Sequence, residues 1–252
     1  MRLRVLGCSG AELPGHHTSA FLIDDSLLLD AGTIGAVLNE TEQSLLQYIF
    51  VTHTHLDHIK GIPLLADTVN FNKIDHTIRI VSIKENLQTI RRHLLNNIIW
   101  PDFTVIPSPD SPVLACTEIR TDREHTFGAY SVTAIRVDHS VPAVGFVVRR
   151  GDKGILYTGD TGPTTGIWEQ AGKLSAMIIE VSFPNRMEEF ALQTGHLTPR
   201  LFAKEIGKMR KLPPRILISH TKPQFFESIN TEVRELGIEG VEFLREGNIY
   251  DL

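Results

Sequence analysis

The chain has 252 residues, 42% of them hydrophobic, and a net charge of −5 from 25 basic and 30 acidic side chains. That length allows one large layered core or two small domains, and the acidic balance gives no support to a broadly basic, nucleic-acid-binding surface. Two cysteines, Cys8 and Cys116, are too few for a disulfide framework, and no stretch approaches a membrane-spanning apolar run, so a cytoplasmic protein is expected.

In chain order, positions 3–7, 19–23 and 27–29 are apolar runs between Gly, Pro and Asp turns and read as strands. Positions 35–47 read as a short helix. Tyr48-Ile49-Phe50-Val51-Thr52 has the pattern of a buried strand and leads straight into His53. Positions 59–72 read as helix, with Pro63 at its start or at a break, and 77–82 as strand. Leu87, Ile90 and Leu94 recur at helical spacing over 84–97. Pro101, Pro107, Pro109 and Pro112 then forbid regular helix. Strands are expected over 113–120, 130–137, 145–149, 155–158 and 177–181, then a helix over 199–209. A strand at 215–219, a helix at 224–236 and a closing strand pair near 241–244 and 248–251 complete the chain. Strands and helices alternate in two passes, and many strands are apolar throughout, which suits sheets covered on both faces. The expected fold is α/β (α+β in some schemes): a four-layer αββα sandwich built as one domain over 1–252.

There are 11 histidines, several beside aspartates, and that combination is the ligand chemistry of borderline divalent metals. The densest cluster is His53-Thr54-His55-Leu56-Asp57-His58. Residues two apart in an extended chain point the same way, so His53 and His55 can reach one ion. The chain then turns into a helix, and Asp57 and His58 emerge toward a second. Four such side chains are costly to bury without metal. Further ligands must come from afar, and His139, Asp160 and His220 each follow an apolar strand, where α/β folds collect their chemistry.

Together these strings resemble a metallo-β-lactamase-fold hydrolase over nearly the whole chain. The resemblance implies that His53, His55 and His139 bind a first metal, that Asp57, His58 and His220 bind a second, and that Asp160 bridges both. It also implies that Asp30, in Leu29-Asp30-Ala31-Gly32, orients a ligand histidine. Two divalent ions are therefore expected: zinc by default for these donors, with manganese or iron as alternatives.

Within that superfamily, four strings are similar to class II cyclic-nucleotide phosphodiesterases: positions 53–61, Asn96-Asn97-Ile98-Ile99-Trp100-Pro101-Asp102-Phe103, Gly195-His196-Leu197-Thr198, and 218–223. The implied reaction is hydrolysis of 3′,5′-cyclic nucleotides such as cAMP or cGMP to 5′-monophosphates. Two ions about 3.5–4 Å apart would share an attacking hydroxide. Asp57, His196 and Glu180 are then the catalytic residues, with His196 protonating the departing ribose oxygen and Glu180 orienting it. Asn97, Trp100 and Asp102 are candidates for a nucleotide pocket; the alternative is that Trp100 packs a helix end that Pro101 terminates. Gly15-His16-His17-Thr18 reads as a loop near the pocket mouth.

The expected partner is a small phosphodiester; nucleic acid and membrane are not expected, and a homodimer is compatible with the fold. The rival enzyme is a ribonuclease Z-like tRNA 3′-processing endonuclease, whose acid–base pair the Glu180 and His196 strings also resemble. Many of its members carry a long arm between the third ligand histidine and the bridging aspartate. The interval from His139 to Asp160 is filled by two strands and leaves no room for one. A metal-free binding protein is the rival of another class.

Overall fold

The computed structural model describes residues 1–72 and 74–252, with the backbone alone for 171–173. The first half lays down β1 (Arg2–Gly7), β2 (Ala20–Ile23), β3 (Leu27–Leu29), β4 (Tyr48–Phe50) and β5 (Ile78–Ser82), a small hairpin of β6 (Pro107–Ser108) and β7 (Ser111–Pro112), and β8 (Leu114–Glu118). The second half adds β9 (Glu124–Phe127), β10 (Tyr130–Arg136), β11 (Val144–Arg150), β12 (Lys153–Tyr157), β13 (Ala176–Glu180), β14 (Ile216–Ser219), β15 (Val241–Phe243) and β16 (Ile249–Asp251). One sheet has the order β16-β1-β2-β3-β4-β5-β8 and the other β15-β14-β13-β12-β11-β10-β9. β3, β4, β5 and β8 run parallel, and so do β12 through β15.

Alternate strand residues divide between separate cores. Leu27, Leu29 and Phe50 meet Phe146, Val148 and Tyr157 between the sheets. Leu28, Ile49 and Val51 face outward, against Leu65 and Val69 of α3 (Gly61–Asn72) and Leu87 and Ile90 of α4 (Lys84–His93). On the far side Leu156, Ile179 and Ile218 pack with Leu201 and Phe202 of α6 (Pro199–Ile206) and Ile229 and Val233 of α7 (Phe226–Glu235). Both faces of the central strands are covered, so strands such as β3, β4, β13 and β14 are apolar or buried throughout. The layers run helices, sheet, sheet, helices, which is the expected αββα sandwich.

Several elements differ from the sequence reading. The helix expected over 35–47 is one turn, α1 (Glu40–Gln43). Asn39 holds extended backbone, its side chain accepts from the Glu42 N–H, and Glu42 accepts from the Asn39 N–H, so the helix cannot begin earlier. The helical stretch after His55 begins early, as α2 (Leu56–Ile59), and Pro63 falls in the first turn of α3, where a missing N–H costs nothing. α4 ends at His93, short of 97. The two closing strands do not pair with each other. β15 extends the second sheet beside β14, while β16 crosses to the first sheet, antiparallel to β1 with Tyr250 opposite Leu3. β9 (Glu-His-Thr-Phe) and α5 (Glu188–Thr194) were not anticipated; each buries a single residue, so neither shows an apolar period. Among the described residues, no helix is long and apolar enough to cross a membrane.

Candidate metal centre

The strands deliver their C-terminal ends to one rim. Asp30 follows β3, His53 follows β4, His139 follows β10, Asp160 follows β12, Glu180 ends β13 and His220 follows β14. At that rim the seven predicted donors converge as two groups of four that share Asp160, with the donor atoms of each group within 4.8 Å of one another. In the first group, His55 Nδ1 lies 3.1 Å from His53 Nε2 and 3.2 Å from His139 Nε2. Asp160 Oδ2 lies 3.7 Å from His53 Nε2. In the second, His220 Nε2 is 3.2 Å from both Asp57 Oδ2 and Asp160 Oδ2. His58 Nε2 is 3.4 Å from Asp160 Oδ1 and 3.9 Å from Asp57 Oδ2. Donors at zinc–nitrogen bond length on a tetrahedron stand about 3.3 Å apart, so these spacings match a coordination sphere.

Four of the five imidazoles are aimed by what holds them from behind. His58 Nδ1 donates to Asp30 Oδ2 (2.7 Å), His139 Nδ1 to the Gly195 carbonyl (2.8 Å), His53 Nδ1 to Thr52 Oγ1 (3.1 Å) and His220 Nδ1 to Ser182 Oγ (2.9 Å). The two hydroxyls accept because their own protons go to Asp30 Oδ2 (2.8 Å) and Glu180 Oε2 (2.7 Å). A proton on Nδ1 leaves the lone pair on Nε2, turned inward. Gly195 must be glycine for this to happen. Its φ is +70°, and a Cβ there would stand 2.9 Å from both His139 Cα and His139 Nδ1.

Burial, then the charge of His58, keeps His53 well below the usual histidine range, and burial is the leading cause of the lowered pKa of His55 and His139. His58 goes the other way: burial opposes its charge, but Asp160 and Asp30 on either side hold it well above. Burial also opposes the charge of Asp57, yet the His220 hydrogen bond and the charge of His58 keep its carboxyl well below the ordinary range. Two buried atoms, His58 Nε2 and Asp160 Oδ1, have no hydrogen-bond partner and face each other. Leaving both unpaired in the interior is costly. Divalent cations, which take nitrogen and carboxylate oxygen together, would satisfy them, so the donor set fits such ions.

Asp30 is fully buried, with φ +55°, and accepts four bonds: from the Thr52 N–H, Thr52 Oγ1, the Tyr157 hydroxyl and His58 Nδ1. Asp30→Asn replaces one acceptor oxygen by an N–H donor. The variant is expected to bind zinc about 10–100-fold more weakly, by chelator competition; undiminished affinity would show that Asp30 does not orient His58.

Beside the donors, His196 Nδ1 donates to Glu180 Oε1 at 2.7 Å, and its ring stacks on His220 at 5.5 Å and 14°. Glu180 is buried and also accepts from the Thr161 N–H, the Leu197 N–H and Ser182 Oγ. Burial works against a charge on His196, but the Glu180 carboxylate outweighs it and lifts the pKa to about 9.

Asn97, Trp100 and Asp102 are joined to these donors by no hydrogen bond, ion pair or ring contact among the described residues. They close the turn after α4. Asn97, at φ +60°, donates its N–H to the Trp100 carbonyl and accepts the Asp102 N–H on its side chain, while Trp100 packs on the outer core of the first sheet. Asp102 accepts from the Thr104 N–H and hydroxyl. Of the histidine doublet, His17 pairs with Glu246 at 2.6 Å. Sequence reasoning missed Thr52, Tyr157, Ser182 and Gly195. Ser182 was within reach, because it stands two residues beyond Glu180 and so faces the same way. Nothing in the apolar run around Tyr157 announces that its hydroxyl finds an aspartate.

A family model described as the beta-lactamase superfamily domain matches residues 27–221. Ribonuclease Z from Pyrobaculum calidifontis is 26% identical over 253 aligned residues, covering 86% of this chain and 85% of that protein. Among solved structures, unliganded yeast PDE1 is similar with a TM-score of 0.83 at 16% identity, covering 100% of this chain and 99% of that one. The short form of human tRNase Z follows the same fold with a TM-score of 0.73 at 20% identity, covering 100% and 99%. All seven donors fall inside the stretch that the family model matches, which is most of the chain, and the protein therefore belongs to the β-lactamase superfamily.

Proposed function

We propose that the protein is a dinuclear metal-dependent phosphodiesterase that cuts RNA in the manner of a ribonuclease Z, with precursor tRNA as its leading substrate. The observation that carries the phosphodiesterase reading is the buried Glu180–His196 pair, held at 2.7 Å beside the donor cluster. The choice of RNA follows the curated relatives named ribonuclease Z. Zinc is the metal that the donor set favours.

Two cations held by the seven donors would supply Lewis acidity toward the phosphoryl oxygens and a water acidic enough to attack near neutral pH. Asp160, common to both donor groups, would hold both cations and keeps its charge. Asp57 is half-buried, at the open side of the cluster, and stays ionised for the same purpose. His196 holds a proton: Glu180 takes the Nδ1–H and leaves the Nε2–H for the departing ribose oxygen. Glu180, with three further donors fixing it, keeps that ring from turning away.

A second reading, a small cyclic diester such as cAMP or cGMP, is favoured by one feature. Arg150 pairs with Lys153, so Gly151 and Asp152 alone make the β11–β12 turn, and no arm projects between His139 and Asp160. Metal-loaded protein should be offered precursor tRNA, bis(p-nitrophenyl) phosphate, cAMP and cGMP. Cleavage of the tRNA and the nitrophenyl diester is expected. Turnover of a cyclic nucleotide with the tRNA left intact would move the assignment to the second reading, and no turnover of any diester would overturn both.

A further inference from the structure

Next to the metal centre lies a cleft of about 950 Å³, lined by none of the seven donors. Its walls are α7 and β15 on one side and the loop holding Ser9, Gly15 and His16 on the other. It adjoins the centre through Thr221, which follows His220 and bridges to Ser9. The volume lies toward the upper end of the roughly 300–1,000 Å³ typical of ligand pockets.

Two glutamates and two arginines line the cleft, and they differ in how they are partnered. Glu246 is engaged by His17 at 2.6 Å, and Glu242 by Arg215 at 3.9 Å. Arg234 and Arg245 also line the cleft, and among the described residues neither has an ion pair or a side-chain hydrogen bond. The two guanidiniums are therefore the lining charges without an opposite partner among the described residues. Unpaired guanidiniums are suited to phosphate oxygens. Phe226, 37% exposed, is braced edge-on by Phe243 at 5.3 Å and offers an aromatic face in the same cleft. A cation and an aromatic face lining one cleft are the two elements that grip a nucleotide, phosphate on one and base on the other.

We infer that this cleft binds a nucleoside phosphate, with phosphate at Arg234 and Arg245 and a base against Phe226; the choice of a nucleoside over other anions rests on the phosphodiesterase reading. Two sources share this chemistry: an RNA strand extending from the metal centre, and a free nucleotide.

The test compares metal-loaded wild type with Arg234→Ala/Arg245→Ala, with each single Arg→Gln variant, and with Phe226→Ala. The probes are a fluorescein-labelled single-stranded 2′-O-methyl oligoribonucleotide, read by anisotropy, and AMP, read by calorimetry. The double variant is expected to lose at least about tenfold in affinity and to show a shallower salt dependence, since two phosphate contacts are gone. Turnover of bis(p-nitrophenyl) phosphate, too small to reach the cleft, should be unchanged. A loss confined to the oligoribonucleotide supports the strand, and an arginine-dependent AMP site supports the free nucleotide. If neither probe binds wild type, or both bind all variants equally, the cleft has no such role. Absence of any diester turnover in wild type, with arginine-dependent binding intact, would sink the enzymatic reading and leave the cleft standing.

Discussion

Asp160→Ala is expected to lower phosphodiester hydrolysis by on the order of 10³-fold and to bring bound metal below two ions per chain. Asp160 is 2% exposed, and its oxygens reach His58 at 3.4 Å, His220 at 3.2 Å and His53 at 3.7 Å. Burial alone would raise its pKa, but the charges of His220 and His58 hold it well below the usual carboxylate value. It is the one side chain common to both donor groups. Removing it leaves the first group with three nitrogens and no anion and the second with only Asp57, His58 and His220, so neither group of four is complete. Asp160→Asn keeps the shape and tests charge alone. Metal analysis after dialysis, together with initial rates, reads the result. Two retained ions with normal turnover would refute the sharing of Asp160.

His196→Ala should separate substrates by leaving group. A ribose oxygen needs a proton as it departs, so RNA cleavage should fall by about 10²–10⁴-fold. Nitrophenolate leaves without one, and hydrolysis of bis(p-nitrophenyl) phosphate should fall far less. The substitution also takes a partner from the buried Glu180, whose Oε1 keeps only the Thr161 N–H, so some loss of stability is expected as well. The ratio of the two rates within one protein sample is insensitive to that loss. An equal fall for both substrates would remove proton donation from His196.

The legible parts of this fold were those with strong local period. β4 was readable from its apolar run, and His53 through His58 from a period of two followed by a turn. The long-range candidate donors were legible because each stands just past an apolar strand. What escaped was set by partners distant in the chain. Asn39 cut the 35–47 helix to one turn through a capping box with Glu42. β16 left the apparent closing pair because its edge partner is β1, at the opposite end of the chain. The orienting groups were harder still. The Thr52 and Ser182 hydroxyls matter only because Asp30 and Glu180 take their protons, and a local string cannot express such a relay. Asn97, Trp100 and Asp102 stood out as a string, and the bonds that Asn97 and Asp102 make after α4 were not legible in it.

The most direct measurement is an anomalous difference map from crystals of the metal-loaded protein, collected at the absorption edge of the metal supplied. Two peaks are predicted, one among His53, His55, His139 and Asp160, the other among Asp57, His58, Asp160 and His220. Peaks elsewhere, or none at full metal loading, would contradict a two-cation centre at this rim.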